Sequence, residues 1–365
     1  MKFERGTDTI SNLFYTKRRY SMQKRLRILV TFLVLLAFAS GNAFSAKAKQ
    51  KVFRLGSASG QVRAFDSTVG IAQELGFLEE ELSKVGYKIE YSYFENGIAI
   101  NEAFIAGDID AATIGDVPAF TGYANQIGTV WIGSLSSFSD IAILTRKGAS
   151  IKKPKDLEGK NVAINIGTNA QFTFENYLTF HGVDRNKINI INLTLINHPS
   201  AFASGSIDAA FGSAPFLLNA AAEGVADEFY TTRQNPEWSC QGLILASKKF
   251  LKTDEKALVA FEKAVIRARE ELIKNPSRWY LTYSGGAIAK HPELGERLYN
   301  RDNGRFRDLI LRIGEQEIEK GQNLYNLLLK LGRYKTARDV KGFVNNNIYE
   351  QAEKELKAKG FVITE

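Results

Sequence analysis

The sequence predicts a two-lobed α/β protein, with two mixed sheets that carry helices on both faces and further helices at the C-terminus. One observation is a repeated segment: residues 106–120 read AGDIDAATIGDVPAF, and residues 203–216 read ASGSIDAAFGSAPF. Another is the alternation of short apolar runs with helical patterns, which is typical of mainly parallel sheets covered by helices. The length of 365 residues is enough for two domains of ordinary size.

The first series of elements runs from residue 51 to residue 148. Its strand-like segments are KVFRLG (51–56), KIEYSYFE (88–95), AATIG (111–115), TVWIGSL (129–135) and DIAILTRKG (140–148). Its helix-like segments are RAFDSTVGIAQELG (63–76), IAINEAFIAG (98–107) and VPAFTGYANQ (117–126). Period-2 alternation supports the strands, and Gly at the end of two helical patterns supports the helices.

A Lys-rich stretch at 149–160, with Pro154 and Gly159, indicates a boundary, after which the series restarts. The second series has strands at 161–167, 187–193, 209–212 and 228–232, with helices at 171–182, 199–205 and 215–224. The apolar segment 242–251 carries the chain back, and helical patterns follow from Asp254 onward. The predicted organisation is a signal peptide (1–48), the first part of lobe 1 (49–145), lobe 2 (146–238), and a return to lobe 1 with a C-terminal helical extension (239–365).

The net charge of +8 is concentrated at the N-terminus, because residues 1–48 carry nine Lys or Arg against two acidic residues. The remaining chain is close to neutral and has no need of a nucleic acid or another polyanion. The apolar run 28–40 follows two arginines and precedes small residues, which indicates a cleaved export signal with a cut near residues 43–48. Met22 would give such a signal a conventional start. The single cysteine, Cys240, excludes an intramolecular disulfide and predicts a small buried residue.

The repeated segment describes a strand, a tight turn and a helix start. The paired Ala residues let neighbouring elements pack close to the strand, and the Gly that follows allows the backbone to turn at the strand's end. Pro118 or Pro215 then suits the first turn of a helix. Ligands of open α/β sheets collect at such carboxyl edges, and the free N–H groups of a helix start attract anions. The alternative is that Gly and Pro only close a turn. Two copies at corresponding places of two lobes favour a shared cleft.

Two further loops follow the first strand of each series. GSASGQ at 56–61 offers the hydroxyl groups of Ser57 and Ser59, and IGTNAQ at 166–171 offers Thr168 and Asn169 as helix caps. Neither loop continues as a nucleotide P-loop, and GSASG fits neither a dinucleotide fingerprint nor a nucleophile elbow.

The segments FENGIAINEAFIAGDIDAATIGDVPAF, IKKPKDLEGKNVAINIGT and PSAFASGSIDAAFGSAPF resemble the substrate-binding proteins of bacterial ABC importers. The similar branch includes binders of aliphatic sulfonates, taurine, nitrate and the thiamine pyrimidine, and the resemblance covers about residues 52–275. It implies a two-lobed periplasmic-binding-protein fold, export to the periplasm, and delivery of a small anionic or zwitterionic solute to a membrane permease with its ATPase subunit. Residues 276–365 exceed the usual length of this branch.

Carried over by position, the resemblance implies a set of ligand-binding residues in the two lobes. They are Ser57, Ser59, Gly60, Asp116, Val117, Pro118, Gly167, Thr168, Asn169, Ser213 and Pro215. The family often has Trp-x-Pro where this chain has Ser213 and Pro215. The missing aromatic side chain leaves this wall of the implied ligand site smaller or more polar.

Other candidates have two interpretations each. Asp116 either pairs with a cationic group of a zwitterion or caps the helix that starts at Val117. Ser136 and Ser137 are hydroxyl contacts or solvated residues, and Arg63 neutralises an anionic head or is simply solvated. Trp238 covers the ligand or packs in a core. Closure of the lobes would bend the chain near residues 144–147 and 238–242.

An enzyme is the rival class, and the sequence offers little for it. The three His residues, at 181, 198 and 291, have no metal-binding spacing, and no recognisable triad appears. The iron motif of the family's pyrimidine-making branch is absent. We therefore expect no catalysis, no cofactor, no metal and a monomer, while a ligand sensor for a membrane receptor remains an alternative with the same fold.

Overall fold

The computed structural model describes residues 50–59, 64–235, 238–299, 309 and 311–364, so the predicted signal peptide lies outside the described residues. Residues 51–365 form one compact unit. Within the described part of the chain, the strands are β1 (Lys51–Ser57), β2 (Tyr87–Tyr93), β3 (Ala111–Gly115), β4 (Thr129–Ser139), β5 (Ile141–Arg146), β6 (Asn161–Ile164), β7 (Asn189–Asn192), β8 (Ala209–Ser213), β9 (Ala226–Thr231) and β10 (Cys240–Ser247).

The helices cover both sheets and make up most of the C-terminal region. They are α1 (Ser67–Glu74), α2 (Phe77–Lys84), α3 (Gly97–Ala106), α4 (Asp116–Ala124), α5 (Asn169–Phe180), α6 (His198–Ser204), α7 (Ala214–Ala222), α8 (Lys248–Lys274), α9 (Pro276–Tyr283), α10 (Leu294–Tyr299), α11 (Glu315–Lys330) and α12 (Asn347–Lys357). Side chains cap several of them. Asn96 accepts hydrogen bonds from two N–H groups at the start of α3, and the Ser247 hydroxyl accepts one at the start of α8.

The strands form two five-stranded sheets with the same plan. Sheet 1 has the order β2-β1-β3-β10-β4, and sheet 2 has the order β7-β6-β8-β5-β9. In each sheet the first three strands are parallel, and the fourth is antiparallel to both of its neighbours. The prediction of two mixed sheets is therefore confirmed. We call sheet 1 with its helices the first lobe and sheet 2 with its helices the second lobe.

The repeated sequence occupies the same place in both sheets, as β3–α4 in the first lobe and β8–α7 in the second. Its leading glycines, Gly107 and Gly205, end the preceding helices with φ of +78° and +74°, which is the left-handed region that glycine tolerates. The Ala pairs that follow are fully buried in the central strand of each sheet. Small side chains there let helices approach the sheet from both faces.

The predicted boundary between the lobes was wrong by several residues. The sequence analysis assigned 140–145 to lobe 1, but β5 pairs with β8 and β9 in sheet 2. The chain therefore crosses between the lobes at Asp140, and it returns between Thr231 and Cys240. The first hinge stretch predicted, 144–147, lies inside or just after a strand of sheet 2. A continuous apolar run such as residues 141–144 suits the middle of either sheet, so its composition does not reveal its partner.

The long C-terminal region mainly completes the first lobe. Helix α11 packs on α4, where a β-carbon on Gly321 would lie 2.6 Å from the ring of Phe120. The rings of Tyr123 and Phe343 stack with their centroids 4.6 Å apart. Burying such aromatic side chains contributes roughly 1.5–3 kcal/mol each. This region therefore covers an apolar face of α4 that would otherwise be open to solvent.

Part of that region also contacts the second lobe, which the predicted assignment of 239–365 to lobe 1 missed. Helix α9 packs on α1 of the first lobe, and α10 packs on α7 of the second. Arg297 pairs with Glu228 of β9, and Lys290 pairs with Glu223 at 3.0 Å. The stretch from α9 to α10 is thus a third link between the lobes, besides the two crossovers.

Candidate functional site

The carboxyl edges of the two sheets meet at the crossovers. In sheet 1 this edge holds the ends of β1, β3 and β4 and the start of β10. In sheet 2 it holds the ends of β6, β8 and β9 and the start of β5. Most of the predicted site residues lie on the loops that follow these ends. This edge-to-edge arrangement is where open α/β sheets bind ligands.

Asp116, in the first copy of the repeat, uses its carboxylate to accept hydrogen bonds from the protein's own backbone. It is the first residue of α4, 3% exposed, and its two carboxylate oxygens accept hydrogen bonds from Val117 N and Gln241 N, both at 2.7 Å. Burial raises its pKa to about 6, although these N–H groups and the charge of Lys320 oppose the rise. The carboxylate thus links the start of α4 to the second crossover, the segment in which the chain returns to the first lobe. The helix begins at Asp116 itself, with Gly115 in the N-cap position, so the predicted start at Val117 is one residue late.

The second copy makes the corresponding link to the first crossover. Ser213 is the N-cap residue of α7, and its side chain makes no capping hydrogen bond. Instead the first helical N–H, that of Ala214, donates to the carbonyl of Asp140 at 2.9 Å. Pro118 and Pro215 both lie in the first turn of their helices, as predicted.

The loop 166–169 of the second lobe leads into an uncapped helix. Gly167 has φ of +84°, and its N–H donates to the side-chain oxygen of Gln171 at 2.8 Å. Thr168 occupies the N-cap position of α5, but its hydroxyl donates to the carbonyl of Asn165 and not to the helix. Thr168 makes no capping hydrogen bond to α5, and the approach of Asn169 to Gly115 places this helix start, with the positive end of its dipole, beside the first lobe.

The two lobes touch at this loop. A β-carbon on Gly115 would lie 2.5 Å from Nδ2 of Asn169, and one on Gly167 would lie 3.1 Å from Cδ1 of Ile98. Phe172, one turn into α5, packs against the hydrophobic cluster of the first lobe. The structure therefore brings together Gly115, Asp116 and Asn169, which the sequence placed in separate lobes.

The first-lobe loop is only partly described. Ser57 is buried at the end of β1, and the hydroxyl of Ser59 donates to the carbonyl of Ala64 and lies 3.0 Å from the Ser57 hydroxyl. Gly60 and Arg63 lie outside the described residues, as does the side chain of Ser137. The hydroxyl groups of Ser136 and Ser139 form a hydrogen bond, with their oxygens 2.7 Å apart.

Trp238 belongs to the second lobe. Its ring packs edge to face on Phe180, with centroids 5.1 Å apart, and lies 6.3 Å from the ring of Tyr230. Cys240, two residues later, is buried, as predicted; it is the first residue of β10 in sheet 1, but its side chain packs in the hydrophobic cluster of the second lobe. Burial and the negative charge of Asp116 raise the pKa of its thiol well above the ordinary value.

Sequence reasoning missed the charged groups that converge on the crossovers. Lys320, from α11, donates to the Ser239 hydroxyl at 2.7 Å. Arg233, just after β9, pairs with the buried carboxylate of Asp140 at 2.9 Å and donates to the carbonyl of Leu298. These partners are up to 93 residues apart in sequence, so no local pattern connects them.

The described residues show neither a metal-binding cluster nor a membrane-spanning helix. In the part of the chain that the structure describes, no group of three or more His, Cys, Asp or Glu residues is placed to hold a metal ion. Burial lowers the pKa of His198 to about 4, so this His is neutral. Among the described helices, none has both the length and the apolar character needed to cross a bilayer.

Comparison with known proteins agrees with the resemblance found in the sequence. The family model described as NMT1/THI5 like matches residues 67–278, more than half of the chain. A candidate aliphatic sulfonates-binding protein of Bacillus subtilis (strain 168) is 30% identical over 258 residues, covering 69% of this chain and 76% of the relative. The taurine-binding periplasmic protein of Escherichia coli (strain K12) is 24% identical over 197 residues, covering 53% of this chain and 60% of the relative.

Solved structures confirm the predicted periplasmic-binding-protein fold. A periplasmic sulfonate-binding protein, SsuA, from Methylobacillus flagellatus KT has a TM-score of 0.70 at 23% identity and covers 86% of this chain and 97% of its own. The desulfurization enzyme DSZB has a TM-score of 0.65 at 11% identity, with coverage of 84% and 99%. These identities show the fold alone, and the fold serves both binding proteins and an enzyme. The family match and the Bacillus relative go further than the fold: this chain belongs to the NMT1/THI5-like family.

Proposed function

We propose that the protein is the extracytoplasmic solute-binding protein of an ABC importer. It captures a small anionic or zwitterionic solute of the sulfonate or taurine type between its lobes and delivers it to the permease and its ATPase subunit. In this proposal the N-terminal segment is removed near residues 43–48, and the mature chain works as a monomer in the periplasm. The relatives named as sulfonate-binding and taurine-binding proteins support the solute class.

The uncapped start of α5, opposite the β3–α4 turn of the other lobe, carries the proposal. Since the N-cap residue Thr168 makes no side-chain hydrogen bond to α5, the start of this helix and its positive dipole end suit a sulfonate oxygen. A solute bound there would contact residues of both lobes at once. It would therefore have a higher affinity for the closed arrangement than for the open one, and binding would favour closure.

A hydrolytic or desulfurizing activity has less support. A cysteine nucleophile requires a thiolate, and burial keeps the thiol of Cys240 protonated at neutral pH. The described residues also show no histidine beside this thiol. We infer that the site binds its solute and leaves it chemically unchanged.

Thermal unfolding of the mature protein with single solutes tests the proposal. The panel contains taurine, ethanesulfonate, sulfate, nitrate and the aminopyrimidine of thiamine. A true ligand at about 100 times its Kd stabilises the folded protein by roughly 2.7 kcal/mol. We expect a sulfonate to stabilise the protein, and small-angle scattering to show a more compact particle with that solute. Stabilisation by nitrate or by the pyrimidine alone would contradict the solute class. No stabilisation by any member would contradict the sulfonate proposal.

A further inference from the structure

The third link between the lobes consists of α9, α10 and the turn between them, residues 276–299, which we call the strap. Helix α10 folds back on α9 so closely that a β-carbon on Gly295 would lie 2.7 Å from Cβ of Tyr280. The ring of Tyr299, at the end of α10, also contacts the ring of Tyr283 in α9, with centroids 5.1 Å apart. The two helices of the strap therefore form one packed pair.

The strap is firmly attached to the first lobe. Asn275 alone separates α9 from α8, the long helix that packs on α1 and α2 of that lobe. Trp279 and Tyr280 of α9 are buried. The hydroxyl of Thr282 donates to the carboxylate of Glu74, in α1, at 2.6 Å. A short covalent connection and buried aromatic side chains thus hold the strap to this lobe.

The attachment to the second lobe includes four polar contacts besides the packing of α10 on α7. They join the side chain of Asn219 to the carbonyl of Ala287, Arg233 to the carbonyl of Leu298, Lys290 to Glu223, and Arg297 to Glu228. The side chains of Lys290 and Arg297 are 78% and 49% exposed, so water and salt screen their ion pairs. Such contacts can part and form again without disturbing a core.

One of the four contacts also involves the first crossover. The guanidinium of Arg233, which donates to the carbonyl of Leu298 at 3.0 Å, pairs with the carboxylate of Asp140 at 2.9 Å. The carbonyl of Asp140 in turn accepts the N–H of Ala214, at the start of α7. A rotation of the second lobe would therefore move these groups together relative to the strap. The strap cannot keep both attachments unless its packed helices deform.

We propose that the strap moves with the first lobe and holds the second lobe in the closed arrangement, so that the cleft opens by breaking the polar contacts of the strap. These contacts then stabilise the closed arrangement before any solute binds, and the solute adds its own contacts. The strap rests on the lobe closure of the proposed function and adds to it an element outside the cleft that sets the closed population. Apparent affinity rises with that population.

Reversal of one ion pair tests the strap. Glu223→Lys replaces the attraction to Lys290 by repulsion, and the double variant Glu223→Lys, Lys290→Glu restores an attractive pair. Nitroxide labels on Lys153→Cys of the second lobe and Lys256→Cys of the first, both exposed positions, report the separation of the lobes by pulsed EPR without solute. Cys240 is buried and stays unlabelled. We expect Glu223→Lys to move the distance distribution toward the open arrangement, and the double variant to reverse the change.

Titration with ethanesulfonate measures the same effect on binding. Kd should weaken about 2- to 30-fold in Glu223→Lys and recover in the double variant. An exposed ion pair accounts for about 1.4- to 5-fold in an equilibrium constant, and the reversal adds a comparable repulsion. The control for charge is Glu175→Lys, which reverses the pair with Arg185 inside the second lobe. It should leave the EPR distances and Kd unchanged.

The outcomes separate the strap from the binding function. An unchanged distance distribution in Glu223→Lys, or a change that the double variant does not reverse, would overturn the strap and leave the binding function intact. An equal change in Glu175→Lys would overturn it as well, since charge alone would then explain the effect. If ethanesulfonate does not bind while the distances respond as expected, the sulfonate proposal fails and the strap stands. Melting curves check folding. If Glu223→Lys does not fold, Lys290→Glu reverses the same pair from an exposed side chain and should give the same shift.

Discussion

The contact between Gly115 and Asn169 makes lobe closure testable by adding a single methyl group. Gly115 has φ of −74° and ψ of 160°, a conformation that alanine adopts without strain. The obstacle to Gly115→Ala lies in the other lobe, where Nδ2 and Cγ of Asn169 would be 2.5 and 2.9 Å from the new carbon. Since ordinary contacts begin near 3.4 Å, the lobes must separate by about 1 Å here, or Asn169 must rotate away.

The expected magnitude follows from the cost of overpacking. Forcing an extra carbon into a packed contact costs typically about 1–3 kcal/mol. Because the lobes can open and relieve the clash, this free energy should appear in closure and not in folding. Apparent affinity falls with the population of the closed state, so a cost of about 1–3 kcal/mol predicts a 5- to 150-fold weaker Kd. The free energy of unfolding without solute should change only by the small preference of glycine over alanine at a helix N-cap.

A double-mutant cycle supplies the control. Titration of the solute that stabilises the protein gives Kd for the unmodified chain, Gly115→Ala, Asn169→Ala and the double variant. Removing the Asn169 side chain makes room for the new methyl, so Gly115→Ala should have little further effect in the Asn169→Ala background. Additive losses would show that the methyl group acts within its own lobe, and the reasoning about closure would be refuted.

Three other predictions concern buried charges and are measured by urea unfolding. The carboxylate of Glu262 is fully buried without a hydrogen-bond partner in the described structure, and burial raises its pKa from 4.5 to about 8. The folded state therefore binds more protons than the unfolded state between these values, and stability should fall as pH rises through them. The stability advantage of Glu262→Gln should grow by about 3 kcal/mol from pH 5 to pH 8, and a constant difference would contradict the shift. Arg233→Met leaves the buried Asp140 carboxylate without its guanidinium and should cost about 2–4 kcal/mol, whereas a loss below about 0.5 kcal/mol would mean that solvent already screens the pair. Asp116→Ala removes the acceptor of two backbone N–H groups, including that of Gln241, and should cost about 2–4 kcal/mol, while an unchanged midpoint would show that water replaces the carboxylate.

The features that the sequence predicted well are those with a local signal repeated in two places. The Gly-x-Ile-Asp-Ala-Ala pattern predicts a helix that ends at a glycine with left-handed backbone angles, then a buried strand of small residues, and then the start of a new helix, all within about a dozen residues. Both copies fold in this way. Each step depends on the backbone preference of Gly or Pro or on the size of Ala, and neighbouring residues suffice to decide it. The alternation of strands and helices predicted the sheet class for the same reason.

The features that it missed depend on partners distant in the chain. The strand Ile141–Arg146 is apolar enough for either sheet, and only the Ala-rich β8 beside it determines its place. Asp116 has the polarity of a ligand-binding residue, but Gln241 and Lys320, from two other segments, turn its carboxylate into an internal link.

The repeated turn also explains where the lobes should bend. In the first lobe, the carboxylate of Asp116 holds the N–H of Gln241, which fastens the end of the second crossover to that lobe. In the second lobe, the N–H of Ala214 holds the carbonyl of Asp140, which fastens the first crossover there. Each copy thus restrains one crossover at its junction with one lobe, and rotation is left to the short stretches before Asp140 and before Gln241. We therefore expect closure to change backbone dihedral angles at Ser139, Trp238 and Ser239, and hydrogen exchange there, unlike in 144–147, to slow when the solute binds.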